Sequence, residues 1–356
     1  MNITVGEIFE RFGPSGVIDR VDGPERSVSG FAGTDRYSAK DMVFVDELSL
    51  VEGLIASPPG AVLTNEDLAQ KLVGPNAPAL LVSANPRLAF TLIRQVYDDY
   101  DPRATEWPRI HPSAVIHESV TVHEDAVIGP GVVIGRDVQL GQRVVIQANS
   151  VIEHDVVIGD DTIIHARVFV GRGCKIGARV RLKPGCVIGA DGFGFVRDDE
   201  KRFNRIPQKG IVVIEDDVMI SANSTIDRAT FSETRISRGC KIDALCHIGH
   251  NVFLDEDCLL VAQTGIAGST RFGKRVLASG QTGVIDHRTV TDDVVLVHRA
   301  GVSEDITKPG IYASGPAQPF LEYTRNIAVF RKLSEMRKRL IHLEREIKRL
   351  LGNTAD

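Results

Sequence analysis

Aromatic residues are scarce here, 6% of 356 residues, with Trp107 the single tryptophan. A core built with so few rings must be filled by aliphatic side chains. Neither sign of charge dominates: 42 Lys and Arg stand against 47 Asp and Glu, a net charge of −5. No broad basic field exists to hold nucleic acid, and any basic docking patch must be local. Cysteine is confined to Cys174, Cys186, Cys240, Cys246 and Cys258. No CxxC pair occurs among them, so the usual zinc spacing is missing and no metal site is expected. Cys240 and Cys258 are spaced to stack, but a reducing cytosol opposes a disulfide between them. No apolar run approaches a membrane span, and Met1 to Pro14 carries acids without an apolar core segment. Neither a membrane helix nor a signal peptide is expected, and a cytoplasmic protein is.

What the chain has in abundance is a beat of six. An apolar side chain returns every sixth residue from Ile110 through Ile116, Val122, Ile128 and Ile134 to Ile188. The beat resumes at Ile214, Ile220 and Ile226, shifts by four residues, and runs on from Ile236 to Val302. The fourth residue after each of these is small or β-branched, as in Ala114, Val120, Ala126 and Val132, so both positions point inward. All five cysteines occupy this second slot and read as core filler. A period of six fits no amphipathic helix. It is the signature of a parallel β-helix in which each hexapeptide makes one short strand and one turn. Three hexapeptides close the smallest coil, so residues eighteen apart should stack about 4.8 Å apart. The recurrence of Gln263-Thr264-Gly265 as Gln281-Thr282-Gly283 supports that count.

Three segments follow. Residues 1–105 lack the beat and read as a small α/β domain. Thr4-Val5-Gly6-Glu7 is a capping box for a helix through Phe12, Val43–Val45 and Ala79–Val82 are buried strands, and Asn85-Pro86 opens a helix through Val96. Residues 106–312 form the β-helix, with Asp98 to Pro108 as linker. Its largest interruption, Ala190 to Gly210, is too long for a coil to absorb and must be extruded, and its aromatics Phe193 and Phe195 favour a binding role over decoration. Residues 313–356 form a helical extension with apolar residues at Val329, Leu333, Met336, Leu340, Leu343, Ile347 and Leu350, a heptad seam. From Arg325 to Arg349 nine basic residues stand against three Glu, which fits a solvated face and a docking patch for an acidic partner equally well.

His111, His117, His123 and His165 each follow an aliphatic residue and read as surface repeats. A second group, His247, His250 and His287, lies among glycines. Counting in eighteens, His247 heads a column continuing as Gly265, Gly283 and Gly301, a line without side chains that fits a groove for an extended ligand and the needs of tight turns equally well. His250 has Gly268 one coil on, which places a base beside a backbone N–H, the pair that acyl transfer requires. His287 lies two coils from His250, about 9 to 10 Å along the axis, suited to holding another part of a substrate.

These residues resemble the UDP-3-O-acylglucosamine N-acyltransferases of lipid A biosynthesis over nearly the whole length. The motifs are Ile188-Gly189-Ala190-Asp191-Gly192-Phe193-Gly194-Phe195, Thr225-Ile226-Asp227-Arg228, Lys241-Ile242-Asp243, His247-Ile248-Gly249-His250-Asn251-Val252, Ile266-Ala267-Gly268-Ser269 and Pro309-Gly310-Ile311-Tyr312. The resemblance implies a left-handed coil and a homotrimer with sites between adjacent solenoids. It implies transfer of a 3-hydroxyacyl group from acyl carrier protein to the glucosamine 2-amine. The catalytic base falls on His250, with Gly268 beside it, and the second active-site histidine on His287. Asp243, His247 and Gln263 would meet substrate, and Phe44 would stack on uracil in a nucleotide-binding first domain. No cofactor is implied beyond the phosphopantetheine that carries the donor. Three positions depart from the family pattern: Ala244 where Asn is common, Leu50 where Tyr is common, and a stretch from Arg299 to Ser303 without methionine. Rival readings are a β-helical zinc hydro-lyase using His247, His250 and His287, an acetyl-CoA-dependent sugar-nucleotide acetyltransferase, and a purely structural solenoid.

Overall fold

The computed structural model describes residues 2–74, 76–313 and 319–352. They form two compact units, Met1–Ala104 and Thr105–Asp356. In the first unit the capping box forms as the spacing predicts: Glu7 N–H donates to Thr4 Oγ1 at 3.1 Å and Thr4 N–H donates to the Glu7 carboxylate at 2.8 Å. The helix runs Val5–Phe12. A five-stranded sheet has the order Arg20–Asp22, Ala79–Val82, Ala61–Thr64, Asp41–Phe44, Gly30–Ala32, parallel except for its first pair. The strands Ala61–Thr64 and Ala79–Val82 are buried along their whole length because helices cover both sheet faces. Val5–Phe12 and Pro86–Tyr97 pack on one face, Val51–Ala56 and Glu66–Ala69 on the other.

The second unit is a left-handed parallel β-helix with three parallel sheets of ten, eight and ten strands. Most strands have two residues, and each pairs with the strand one coil away, as in Val133↔Val151 and Val151↔Phe169. Both inward slots of the hexapeptide fill one continuous core, the five cysteines included. Burying each Ile or Leu contributes about 2 kcal/mol, so aliphatic filling suffices where rings are few.

The corners turn on residues with left-handed backbone, among them Asp137, Arg143, Asn149 and Asp155, with φ between 55° and 62°. Such a conformation costs a non-glycine residue about 1 kcal/mol. Hydrogen bonds across coils offset it. The corner N–H of Asn149 donates to Pro130 O at 2.9 Å, and that of Asp155 to Arg136 O at 3.0 Å. One edge adds an arginine–aspartate ladder, with Arg143 bidentate on Asp161 and Arg275 on Asp293.

Two insertions interrupt the stack, and they lie side by side. The strand Val187–Asp191 pairs with Thr225–Arg228 through a register shift at Gly189, whose φ is 82°. Beyond it the chain leaves the coil as a hairpin, Phe195–Arg197 with Phe203–Arg205. Phe193 and Phe203 are exposed. The second insertion, at residues 229–232, meets the foot of this loop, where Gly210 N–H donates to Ala229 O at 2.9 Å. Arg228 lies beneath, 1% exposed. Its Nε donates to Gly189 O at 2.8 Å, and its terminal nitrogens to Gly210 O at 3.2 Å and Arg172 O at 3.3 Å.

Two expectations need correction. His165 is half-buried rather than a surface repeat: its Nδ1 meets Gln147 Oε1 at 3.1 Å, while Nε2 is sealed without a partner. It follows Ile163 and Ile164 on a sheet where the outward side chains Val127, Val145 and Ile163 are themselves buried. The C-terminal seam is also broken. Helices Phe320–Phe330 and Leu333–Gly352 are separated at Arg331 and Lys332, where the last turn tightens and Lys332 N–H reaches Val329 O. The large apolar residues of both helices are exposed, apart from the half-buried Ile327. Among the described residues, no helix is long and apolar enough to cross a membrane.

Candidate active site

His250 lies just beyond the strand His247–Ile248, where the second insertion widens the coil. Its side chain is held between two glycines. A Cβ on Gly268 would stand 2.6 Å from His250 Cε1, and one on Gly192 of the extruded loop 2.7 Å from His250 Cβ. Neither position accepts a larger residue without moving the imidazole.

Asn251 fixes the tautomer. Its Nδ2 donates to Phe231 O at 3.0 Å, which identifies the other atom as the acceptor. That Oδ1 takes Thr230 N–H at 3.1 Å and stands 3.2 Å from His250 Nδ1. Nδ1 therefore carries the proton, and Nε2 offers its lone pair beside Gly268. The Gly268 carbonyl accepts His287 N–H at 3.0 Å, whereas its own N–H meets no acceptor among the described residues. His250 and Gly268 both line the same opening.

That opening is a pocket of about 760 Å³ on one sheet face, walled by Phe193, Asp227, His247, His250 and Asp286 over a glycine floor. His247, Gly265, Gly283 and Gly301 pair in register down the face. The space above each of the three glycines is empty to at least 4 Å. The column counted from the sequence is an open lane.

Asp227 is 7% exposed, with Oδ2 3.7 Å from His247 Nε2. His247 Nδ1 in turn meets Thr225 Oγ1 at 2.8 Å. Burial lifts the Asp227 carboxyl above the usual carboxylate range, against the opposing pull of His247, His250 and the Phe193 N–H. The neighbouring guanidinium of Arg228 is spent on backbone carbonyls and stands 3.7 Å from Asp191.

His247, His250 and Gly268 are therefore brought together. His287 is not in the pocket wall; it is an exposed corner residue with φ 56°, and Asp286 closes that end. Asp243 and Gln263 also lie outside the pocket. Asp243 accepts Ala244 N–H at 2.7 Å and Ala262 N–H at 3.1 Å, and Gln263 Oε1 accepts Gln281 Nε2 at 2.7 Å. Phe44, in the first unit, stacks on Phe90 with centroids 5.8 Å apart and has the Arg87 guanidinium 5.8 Å from its ring. Leu50 packs against the core beneath the short helices. Sequence reasoning gave no role to Thr225, Asp227 or Asn251, although two motifs contain them.

Comparison with known proteins places this arrangement. The family model described as the GMPPB C-terminal domain matches residues 110–193, within the repeats. The crystal structure of Arabidopsis UDP-N-acetylglucosamine acyltransferase shares the fold, with a TM-score of 0.52 at 20% identity over 58% of this chain and 71% of that one. The coil makes the chain a hexapeptide-repeat β-helix protein. A UDP-3-O-acylglucosamine N-acyltransferase from Methylococcus capsulatus is 53% identical over 350 residues, 98% of this chain and 99% of its own. One from Wolinella succinogenes is 44% identical over 137 residues, 38% of this chain and 43% of its own. The chain belongs to the UDP-3-O-acylglucosamine N-acyltransferase family of lipid A biosynthesis.

Proposed function

We propose that the chain moves a 3-hydroxyacyl group from the phosphopantetheine thiol of an acyl carrier protein to the 2-amine of UDP-3-O-acylglucosamine. The observation that carries this reading is the His250 Nε2 lone pair beside the unspent Gly268 N–H at the head of the glycine lane. The amine nitrogen adds to the thioester carbonyl carbon, and the C=O electron pair moves onto oxygen, where Gly268 N–H holds it. His250 Nε2 takes the proton the nitrogen sheds. The C–S bond then breaks, and the imidazolium returns its proton to the departing thiolate. No enzyme-bound acyl intermediate and no resident cofactor enter. A placed base contributes about 10² to 10⁴ in rate, and one oxyanion donor about 10² to 10³.

His287, Asp243 and Gln263 are exposed and outside the single-chain pocket, which supports a homotrimer whose neighbouring solenoid completes each site. Phe44 serves as the wall for uracil in the first unit, with UDP as the recognised head. The test is mass spectrometry of products from UDP-3-O-acylglucosamine offered a ladder of carrier-bound acyl chains and acetyl-CoA. Amide formation from carrier-bound 3-hydroxyacyl groups is expected. Transfer from acetyl-CoA alone would make the protein a sugar-nucleotide acetyltransferase, and no transfer would leave the solenoid as a scaffold.

A further inference from the structure

Asp227 presents an electrostatic problem that the reaction above does not use. A nearly buried carboxylate is costly unless a cation faces it. Arg228, beside it in sequence, gives its donors to the carbonyls of Gly189, Gly210 and Arg172. Among the described residues, no Lys or Arg pairs with Asp227. The groups that face it are His247 and His250, Asp191 at the end of Val187–Asp191, and the Phe193 N–H. None of these is a permanent cation. The carboxylate nevertheless opens on the pocket that holds the base, so a cation entering there would supply the missing counter-charge.

The acceptor brings that charge. A glucosamine 2-amine is largely an ammonium near neutral pH, and an ammonium has no lone pair with which to attack a thioester. We propose that Asp227 receives the acceptor ammonium in the pocket and takes its first proton, delivering a free amine to His250. This rests on the transfer reading above and deepens it. One N–H bond of the ammonium breaks and an O–H bond forms on Asp227, leaving a neutral amine whose lone pair adds to the carbonyl. His250 takes the second proton and gives it to the thiolate. The proton on Asp227 is the one released per turnover, and it leaves past His247, whose side chain is 53% exposed and 3.7 Å away. Burial raises the carboxyl above its usual range, which favours its protonated form.

The experiment compares the parent protein with Asp227→Asn and His250→Ala. The probes are UDP-3-O-acylglucosamine and its analogue with a hydroxyl in place of the 2-amine. By calorimetry near pH 6.5 the parent should bind the amine at least about tenfold more tightly than the hydroxyl analogue, and Asp227→Asn should bind both alike. In kinetics, Asp227→Asn should lose about 10² in kcat/KM near pH 6.5 and recover most of it by about pH 9, where the acceptor is already a free amine, while His250→Ala stays low throughout. A parent protein with no preference for the amine overturns the assignment, and that measurement does not depend on any variant folding. So does an Asp227→Asn profile parallel to the parent at every pH. If the parent acylates no amine at all, the transfer reading falls instead; if His250→Ala alone abolishes transfer, only the role of Asp227 falls.

Discussion

Gly268 sits where the fold and the chemistry can be separated by one methyl group. A Cβ there would press on the tip of the His250 ring, which can swing aside, and not on the backbone core. Gly268→Ala should therefore leave thermal unfolding within about 1 kcal/mol of the parent and lower kcat by roughly 10², because a displaced base cannot take the proton in line. Stopped kinetics with an unchanged melt is the expected pair of results; unchanged kinetics would remove His250 from the base's position. His165 tests a different property. Burial, with Lys183 and Arg181 nearby, pulls its pKa down to about 4. The unfolded chain binds a proton below about pH 6.5 and the folded chain does not, so this contribution is fully present above that pH and lost as pH falls toward 4. His165→Gln does not titrate there. Melting temperature against pH between 4 and 7 should be flatter for that variant than for the parent.

At the scale of elements, the two adjacent insertions decide what could be read from the chain. Where coils repeat without interruption, counting eighteen gave real neighbours: His247 pairs with Gly265, and His250 lies over Gly268. Across the insertions the interval changes, so that Lys175 pairs with Val213 and Thr225 with His247. Counting therefore could not bring Thr225 or Asp227 to His247, nor Thr230 to Asn251. Local motif chemistry still held in the first unit, where Thr4 and Asn85 cap the helices their spacing marks. The sealed nitrogen of His165 was illegible for another reason, since a column count tells which residues stack and not which face is covered. Arg228 is the tie that holds the first insertion to the coil. Arg228→Met keeps the volume but leaves buried carbonyls without donors, and should cost about 3 kcal/mol of stability. Denaturant unfolding would measure it, with proteolysis at the hairpin Phe195–Arg205 rising in parallel; an unchanged midpoint would mean that water replaces the guanidinium.

For the whole molecule, the exposed apolar residues of Phe320–Phe330 and Leu333–Gly352 set the last prediction. If the proposed carrier-dependent, trimeric reading holds, deleting the chain from Phe330 onward weakens use of carrier-bound donor and loosens the assembly, read by sedimentation and by kinetics with the carrier protein. A fully active, monomeric parent would remove the intersubunit site from the mechanism. The eighteen-residue pairing interval also bears on how the chain comes to be folded. Each strand finds its partner within one coil, so closing a loop is cheap and coils can add one at a time, whereas the widened interval over residues 190–210 demands a longer search. A ribosome delivers the N-terminal coils first. The stack from Ile110 to Ile188 can thus form before His250 has been synthesised, and a chain ending at the extruded loop should fold its coils while lacking the proposed base.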